Sequence, residues 1–183
     1  MERTITTISI IIPIYQSSEY IEELVKKLNQ LKQTLSEVKI NLMEVICVCD
    51  EPIDNSLSII RKLQNNYEFI EVIELSSNLG QHLATAAGIV ASHGDWVCTI
   101  DEDLQHDPET ILSLLLEGSI HSNDLVYARS KSRVHKASLY RDAASKIAKL
   151  ISSSLSGIDL LKISSFRLIR GPIARSAATC MDR

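Results

Sequence analysis

The chain has 183 residues, 45% of them hydrophobic and 23% charged, with a formal net charge of −4. This is enough for one domain with a real core, and the balance excludes a disordered chain. No apolar run reaches the roughly 18 residues of a membrane-spanning helix, and the start MERTITTISI has no basic n-region or cleavage site, so no secretory leader is expected.

The first strand is expected at ISIIIPIY (8–15), which is β-branched, too short for a typical helix and apolar on both faces. Ser17 or Ser18 is then placed to cap a helix running to about residue 35, with Ile21, Leu24, Val25, Leu28 and Leu31 at helical spacing. EVICVCD (44–50) reads as a second buried strand, followed by a helix over 54–64. FIEVIEL (69–75) is a third strand, and the small-residue segment HLATAAGIVAS suits a helix packed closely on a sheet. DWVCTID (95–101) is a fourth strand, and Pro108 fits the first turn of a helix over 108–117. LVYAR (125–129) reads as a fifth strand, 136–155 as a long helix and KISSFRLIR (162–170) as a last strand.

Alternation of this kind predicts an α/β fold: one domain over 1–183, with a mainly parallel sheet flanked by helices and joined by right-handed crossovers. Ligands of such sheets bind at the carboxyl ends of the strands. Tyr15–Gln16, Asp50–Glu51, Ser76–Ser77–Asn78 and Asp101–Glu102–Asp103 all follow strands directly, so they are expected to share one edge.

Three adjacent carboxylates are costly unless something neutralises them. A hard divalent cation such as Mg²⁺ or Mn²⁺ prefers oxygen ligands and commonly bridges carboxylates to substrate phosphates. Alternation in an extended segment directs Asp101, Asp103 and Gln105 to one side and Glu102 elsewhere. The alternative is an acidic solvated turn.

Other α/β chemistries lack their motifs. No G-x-G-x-x-G follows the first strand, and neither a P-loop nor a G-x-S-x-G elbow is present. No H-x-x-x-H spacing suggests zinc, and the cysteines (Cys47, Cys49, Cys98 and Cys180) form no C-x-x-C pair, so buried reduced thiols of a cytoplasmic protein are expected.

Charge is split along the chain. Residues 1–128 hold 7 of the 19 basic and 20 of the 23 acidic residues, a net −13, whereas residues 129–183 carry +9. An acidic part suits a cation and a basic part an anion, unless the latter is only a solvated helical surface. Along 136–155, Tyr140, Ala143, Ala144, Ile147, Leu150, Ile151 and Leu155 form a stripe opposite Arg141, Lys146 and Lys149. Such a helix either packs on the sheet or lies on an anionic membrane surface.

Four blocks resemble family 2 glycosyltransferases of the GT-A fold, especially the polyprenyl-phosphate branch that includes dolichol-phosphate mannosyltransferase. IIPIYQSSEYIEEL (11–24) is similar to its V-P-x-Y-N-E block, and EVICVCDEPIDNS (44–56) to E-x-x-x-V-D-D-G-S-x-D-x-S. LSSNLGQHLATAAGIVASHGDWVCTIDEDLQHDPE (75–109) follows the family's long central block almost throughout, and VYARSKSR and SFRLIR resemble its later arginine and F-R-L motifs. The chain departs from the pattern at Gln16, Cys49, Glu51–Pro52 and Ser165, the last standing where many relatives carry an acidic residue.

The resemblance implies metal-assisted, inverting transfer of a sugar from a UDP- or GDP-linked donor to a lipid-linked phosphate. Pro13, Tyr15, Glu19, Asp50, Asp54, Asp101 and Glu102 are the implied donor-side residues, and Asp101, Asp103 and Gln105 the implied ligands of Mg²⁺ or Mn²⁺. Asp103 is also the implied catalytic carboxylate, and Arg129, Arg133 and Arg167 would steer the phosphate acceptor. Relatives often continue into membrane helices, so the chain is expected to be either a truncated catalytic domain or a member lacking the anchor, working at the inner face of the cell membrane. Nucleic acid is not an expected partner, and a homo-oligomer stays open. Two alternatives also stay open: a glycan acceptor, and a nucleotide-sugar-binding module without catalysis.

Overall fold

A computed structural model describes residues 6–128 and 165–180. The elements in chain order are β1 (Thr6–Ile14), α1 (Ile21–Glu37), β2 (Ile40–Cys49), α2 (Ser56–Gln64), β3 (Ile70–Glu74), α3 (Gln81–Ala91), β4 (Trp96–Thr99), α4 (Thr110–Ile120), β5 (Leu125–Tyr127), β6 (Arg167–Arg170) and α5 (Gly171–Thr179). The helix expected over 136–155, together with Arg129 and Arg133, lies outside the described residues.

The six strands form one sheet in the order β3-β2-β1-β4-β6-β5. β1 pairs in parallel with both β2 and β4, and β2 with β3. β6 is antiparallel to both β4 and β5. The expected mainly parallel sheet is therefore present, with an antiparallel edge.

Period-two alternation explains the two-faced core. On one face Ile8, Ile10, Ile12 and Ile14 of β1 pack with Leu24, Val25 and Leu28 of α1, Ile60 of α2 and Ile111 and Leu115 of α4. On the other, Ile11 joins Ile46, Val48 and Val97 beneath Ala84 and Ile89 of α3 and Ala174 and Ala178 of α5. A Cβ added at Gly88 would stand 2.5 Å from Ile11 and 2.9 Å from Val48, so only glycine lets α3 sit this close to the sheet.

Two local expectations are corrected. Neither Ser17 nor Ser18 caps α1 through its side chain; the helix begins after Tyr20, which makes no side-chain cap. Instead the Ser17 carbonyl accepts the N–H groups of Tyr20 and Ile21, both at 2.9 Å, while its hydroxyl is turned to Ser56. Hydrogen bonding to a neighbouring loop has displaced local capping. The second correction is α5, over GPIARSAAT, a helix the sequence pattern did not announce. Pro172 in its first turn is a start signal, but nine residues make too short a periodic pattern to read, and so short a helix depends on packing against α3 and β6.

A buried carboxylate, Glu44 in β2, fastens the end of the sheet away from the strand-end loops. It accepts the Ser9 hydroxyl at 2.6 Å and the His93 backbone N–H at 2.6 Å, and Ser9 in turn accepts the Gly94 N–H at 2.8 Å. The β1–β2 register shifts beside it, between Ile8 and Ser9.

Candidate functional site

β2 and β3 lie on one side of β1, and β4 lies on the other. The crossover direction thus reverses between β1 and β4, and this switch point is where open α/β sheets leave a crevice at their carboxyl ends. A cleft of about 500 Å³ opens there, lined by Pro13, Ile14 and Tyr15 at the end of β1, Asp50 after β2, Asn78 and Gly80 before α3 and Gln81 at its start, and Asp101, Glu102 and Asp103 after β4. Among the residues expected at the site, Pro13, Tyr15, Asp50, Asp101, Glu102 and Asp103 are thereby brought together.

The three consecutive carboxylates are each held by protein donors. Asp101 accepts the Gln81 amide on Oδ1 at 2.6 Å and the Ser165 hydroxyl on Oδ2. Glu102 accepts the backbone N–H groups of Tyr15 at 2.9 Å and Gln16 at 3.0 Å. Asp103 accepts the Gln105 N–H at 3.0 Å. Burial pushes the Glu102 carboxyl above the ordinary range, against the lowering effect of those two N–H groups.

The expected geometry of this loop needs correcting. The strand ends at Thr99, so the alternation assumed across 101–105 does not apply, and Leu104 turns the chain with φ +57°. Glu102 consequently lines the same cleft as its neighbours, while Gln105 is exposed and is not among the lining residues. Among the described residues no three His, Cys, Asp or Glu side chains are grouped closely enough to hold a metal ion.

Asp50 is a buried clamp. Its carboxylate accepts the Leu79 N–H at 2.7 Å and the Gly80 N–H at 2.8 Å, and Glu51 accepts the Asn78 N–H at 3.0 Å. Three successive amides leading into α3 are thus neutralised by the residues that follow β2. Glu51 stands in the left-handed region at φ +50°, where the family block has glycine, so its side-chain bond accompanies a backbone that favours glycine.

Asp54 lies outside the cleft lining. It bridges two loops, accepting the Ser18 N–H at 3.0 Å and both the N–H and hydroxyl of Ser56. Burial alone would raise its carboxyl, but the Ser56 hydroxyl and the Ser18 and Ser56 amides outweigh this and pull it down to about 2. Glu19 is exposed and also outside the lining. Arg167 is partly buried in β6, and its Nε is buried without a hydrogen-bond partner among the described residues.

Asn78, expected at the strand-end edge, does line the cleft; the site residues missed from sequence are Gly80, Gln81 and Ser165. The first two stand where the turn after β3 enters α3, and its N-L-G-Q sequence was the available signal. Ser165 was read as a missing acid; its bond to Asp101, 64 positions away, has no local signature.

The profile of Glycosyl transferase family 2 matches residues 9–174. The chain therefore belongs to glycosyltransferase family 2, and its fold is the expected GT-A fold. It is 30% identical over 181 residues to an undecaprenyl-phosphate 4-deoxy-4-formamido-L-arabinose transferase of Salmonella choleraesuis, covering 98% of this chain and 53% of that protein. The chain thus spans about half the length of the curated relatives it matches. Its fold resembles that of Staphylococcus aureus TarS 1–349 in complex with UDP-GlcNAc, with a TM-score of 0.62 at 21% identity, covering 94% of this chain and 47% of that one. It also resembles glucosyl-3-phosphoglycerate synthase of Mycobacterium tuberculosis in complex with Mn²⁺, UDP and phosphoglyceric acid, with a TM-score of 0.61 at 16% identity, covering 92% of this chain and 57% of that one.

Proposed function

We propose that the protein carrying this chain moves a sugar, with inversion, from a nucleoside-diphosphate sugar to a polyprenyl phosphate at the inner face of the cell membrane. The observation that carries the donor half is the cleft at the β1/β4 switch point, floored by Asp101, Glu102 and Asp103 and walled by Pro13 and Tyr15. The acceptor half is supported by the printed name of the relatives, undecaprenyl-phosphate transferases.

The donor set fits Mg²⁺ or Mn²⁺. Such ions take oxygen ligands and, at phosphate sites, commonly need only one or two carboxylates, the rest being water and phosphate oxygens. Asp101 and Asp103 offer two carboxylates on one open cleft, and each oxygen engaged by a hydrogen bond keeps a second lone pair. The lack of a third grouped ligand is therefore compatible with the ion. When bound, it would stabilise the negative charge that gathers on the departing diphosphate.

The chain's own residues do the remaining work. Tyr15, Pro13 and the loop fixed by Asp50 and Glu51 shape the nucleotide wall. Glu102 ties the end of β1 to the acidic loop, so both walls keep their spacing. Arg167 brings a buried guanidinium nitrogen that lacks a partner among the described residues, which suits an anionic acceptor. A phosphate acceptor is already ionised near neutral pH, so a serine at 165 in place of an acid is no obstacle.

Incubating the full-length protein with radiolabelled UDP- and GDP-sugars tests this, with undecaprenyl phosphate and a sugar oligomer offered as acceptors. Label in the lipid fraction is the expected result. Label only in the oligomer would overturn the acceptor assignment, and donor binding without turnover would mark a binding module.

A further inference from the structure

Asp101 is gripped from both sides, and the two grips come from elements far apart in the chain. Gln81, the first residue of α3, donates from its amide to Oδ1 at 2.6 Å. Ser165, at the entry to β6, donates from its hydroxyl to Oδ2. Each grip is itself anchored. Gly80 sets the direction of Gln81: its N–H is held at 2.8 Å by Asp50, and its backbone (φ 86°, ψ 156°) lies where side-chain-bearing residues rarely go. Ser165 is fixed by its own carbonyl, which accepts the hydroxyl of buried Thr99 at 2.5 Å. Register then continues the anchoring, with Thr99 opposite Arg167 in the β4–β6 pair.

From this geometry we infer that Ser165, with Gln81, is a positioning residue that locks the orientation of Asp101 for the divalent cation. The inference rests on the donor-site reading above. A free aspartate beside Glu102 and Asp103 would rotate away from its like-charged neighbours. Two neutral donors, one on each oxygen, hold it facing the cleft without supplying a competing charge. One lone pair on each oxygen remains for the ion. Partners of this kind around a metal-binding carboxylate are worth roughly 10- to 100-fold in metal affinity. The serine also joins cation binding to β6, which carries Arg167 two positions later.

The test compares Mn²⁺ binding in the presence of UDP, by calorimetry, for the wild-type chain, Ser165→Ala, Ser165→Thr and Gln81→Leu. Ser165 is exposed, so the extra methyl of threonine has room. Mn²⁺ affinity is expected to fall roughly 10-fold in Ser165→Ala and in Gln81→Leu and to return in Ser165→Thr. The circular dichroism spectrum should not move in any of the variants. Equal Mn²⁺ affinity in Ser165→Ala and wild type would overturn the inference. A wild-type chain that binds no Mn²⁺ would instead overturn the donor-site reading. Crystal structures of the two chains then decide the positioning claim: one Asp101 rotamer in wild type and several in Ser165→Ala uphold it, and the same single rotamer in both overturns it.

Discussion

Asp50 accepts the backbone N–H of Gly80 on Oδ2 at 2.8 Å, and its other oxygen takes the neighbouring Leu79 N–H at 2.7 Å. One buried side chain thus fixes where α3 begins, and with it one wall of the cleft. Asn at this position keeps one acceptor and turns an NH₂ group toward the second amide. Asp50→Asn is expected to cost about 1–3 kcal/mol, the penalty of an unsatisfied buried donor, and to weaken UDP binding. Urea unfolding and calorimetry on the same preparation check both.

Gly80 is a separate test of the same wall. Nothing lies within 4 Å of an added Cβ, so Gly80→Ala meets no clash and only the backbone objects. At φ 86° and ψ 156° the expected cost is about 1–3 kcal/mol. A lower thermal midpoint with weaker nucleotide binding is predicted; an unchanged midpoint would mean the turn takes another shape.

Asp54 gives a pH dependence. Its carboxyl is held down at about 2 in the folded chain, against 3.8 ordinarily, by the Ser56 and Ser18 donors that outweigh burial. A lowered folded value contributes stability above the unfolded pKa, which is lost as pH falls through the folded one. Because the site is partly solvated, the contribution is set at about 1 kcal/mol. Asp54→Asn should therefore be less stable than wild type at pH 7, and the difference should close between about pH 4 and pH 2. Urea midpoints measured across that window decide it. Glu102 has the opposite sign: raised by burial, its contribution is full below the unfolded pKa of 4.5 and declines as pH rises through the folded one.

The cysteines test the core independently. Cys47, Cys49 and Cys98 are buried and Cys180 is exposed. Burial pushes the Cys47 and Cys98 thiols far up and that of Cys49 to about 12, so none forms the reactive thiolate near neutral pH. A thiol reagent at pH 8 should modify Cys180 quickly and the other three only after denaturation. Rapid reaction of all four would show that the sheet is open.

Legibility from sequence followed the range of the forces. The parallel strands were readable because β-branched runs such as ISIIIPI announce burial on both faces, and the cleft followed because polar residues at strand ends must share an edge. The orientation of Glu102 was misread because the strand stops at Thr99, two residues before the alternation was applied, and the turn at Leu104 carries no glycine to mark it. The same alternation aimed Gln105 at Asp101 and Asp103, whereas it is exposed and outside the cleft lining. Ser17 left its capping role for a bond to Ser56, 39 positions away, and Ser165 meets Asp101 across 64. Contacts of that span are set by sheet order, which periodicity does not encode. The α5 helix escaped because nine residues make too short a periodic pattern to read, and so short a helix takes its stability from what it packs against.

The central claim is that the acidic loop holds a cation on a nucleoside diphosphate. The most direct measurement is calorimetric binding of UDP and of GDP, each with and without Mn²⁺, to this chain and to Asp103→Ala. Asp103 lines the cleft, and its bond to the Gln105 N–H is local, so the variant is expected to fold normally. The account predicts Mn²⁺-dependent binding of one nucleotide that is lost in Asp103→Ala, because the ion then has one carboxylate fewer to hold it on the diphosphate. Binding that ignores Mn²⁺, or that survives unchanged in Asp103→Ala, would contradict it.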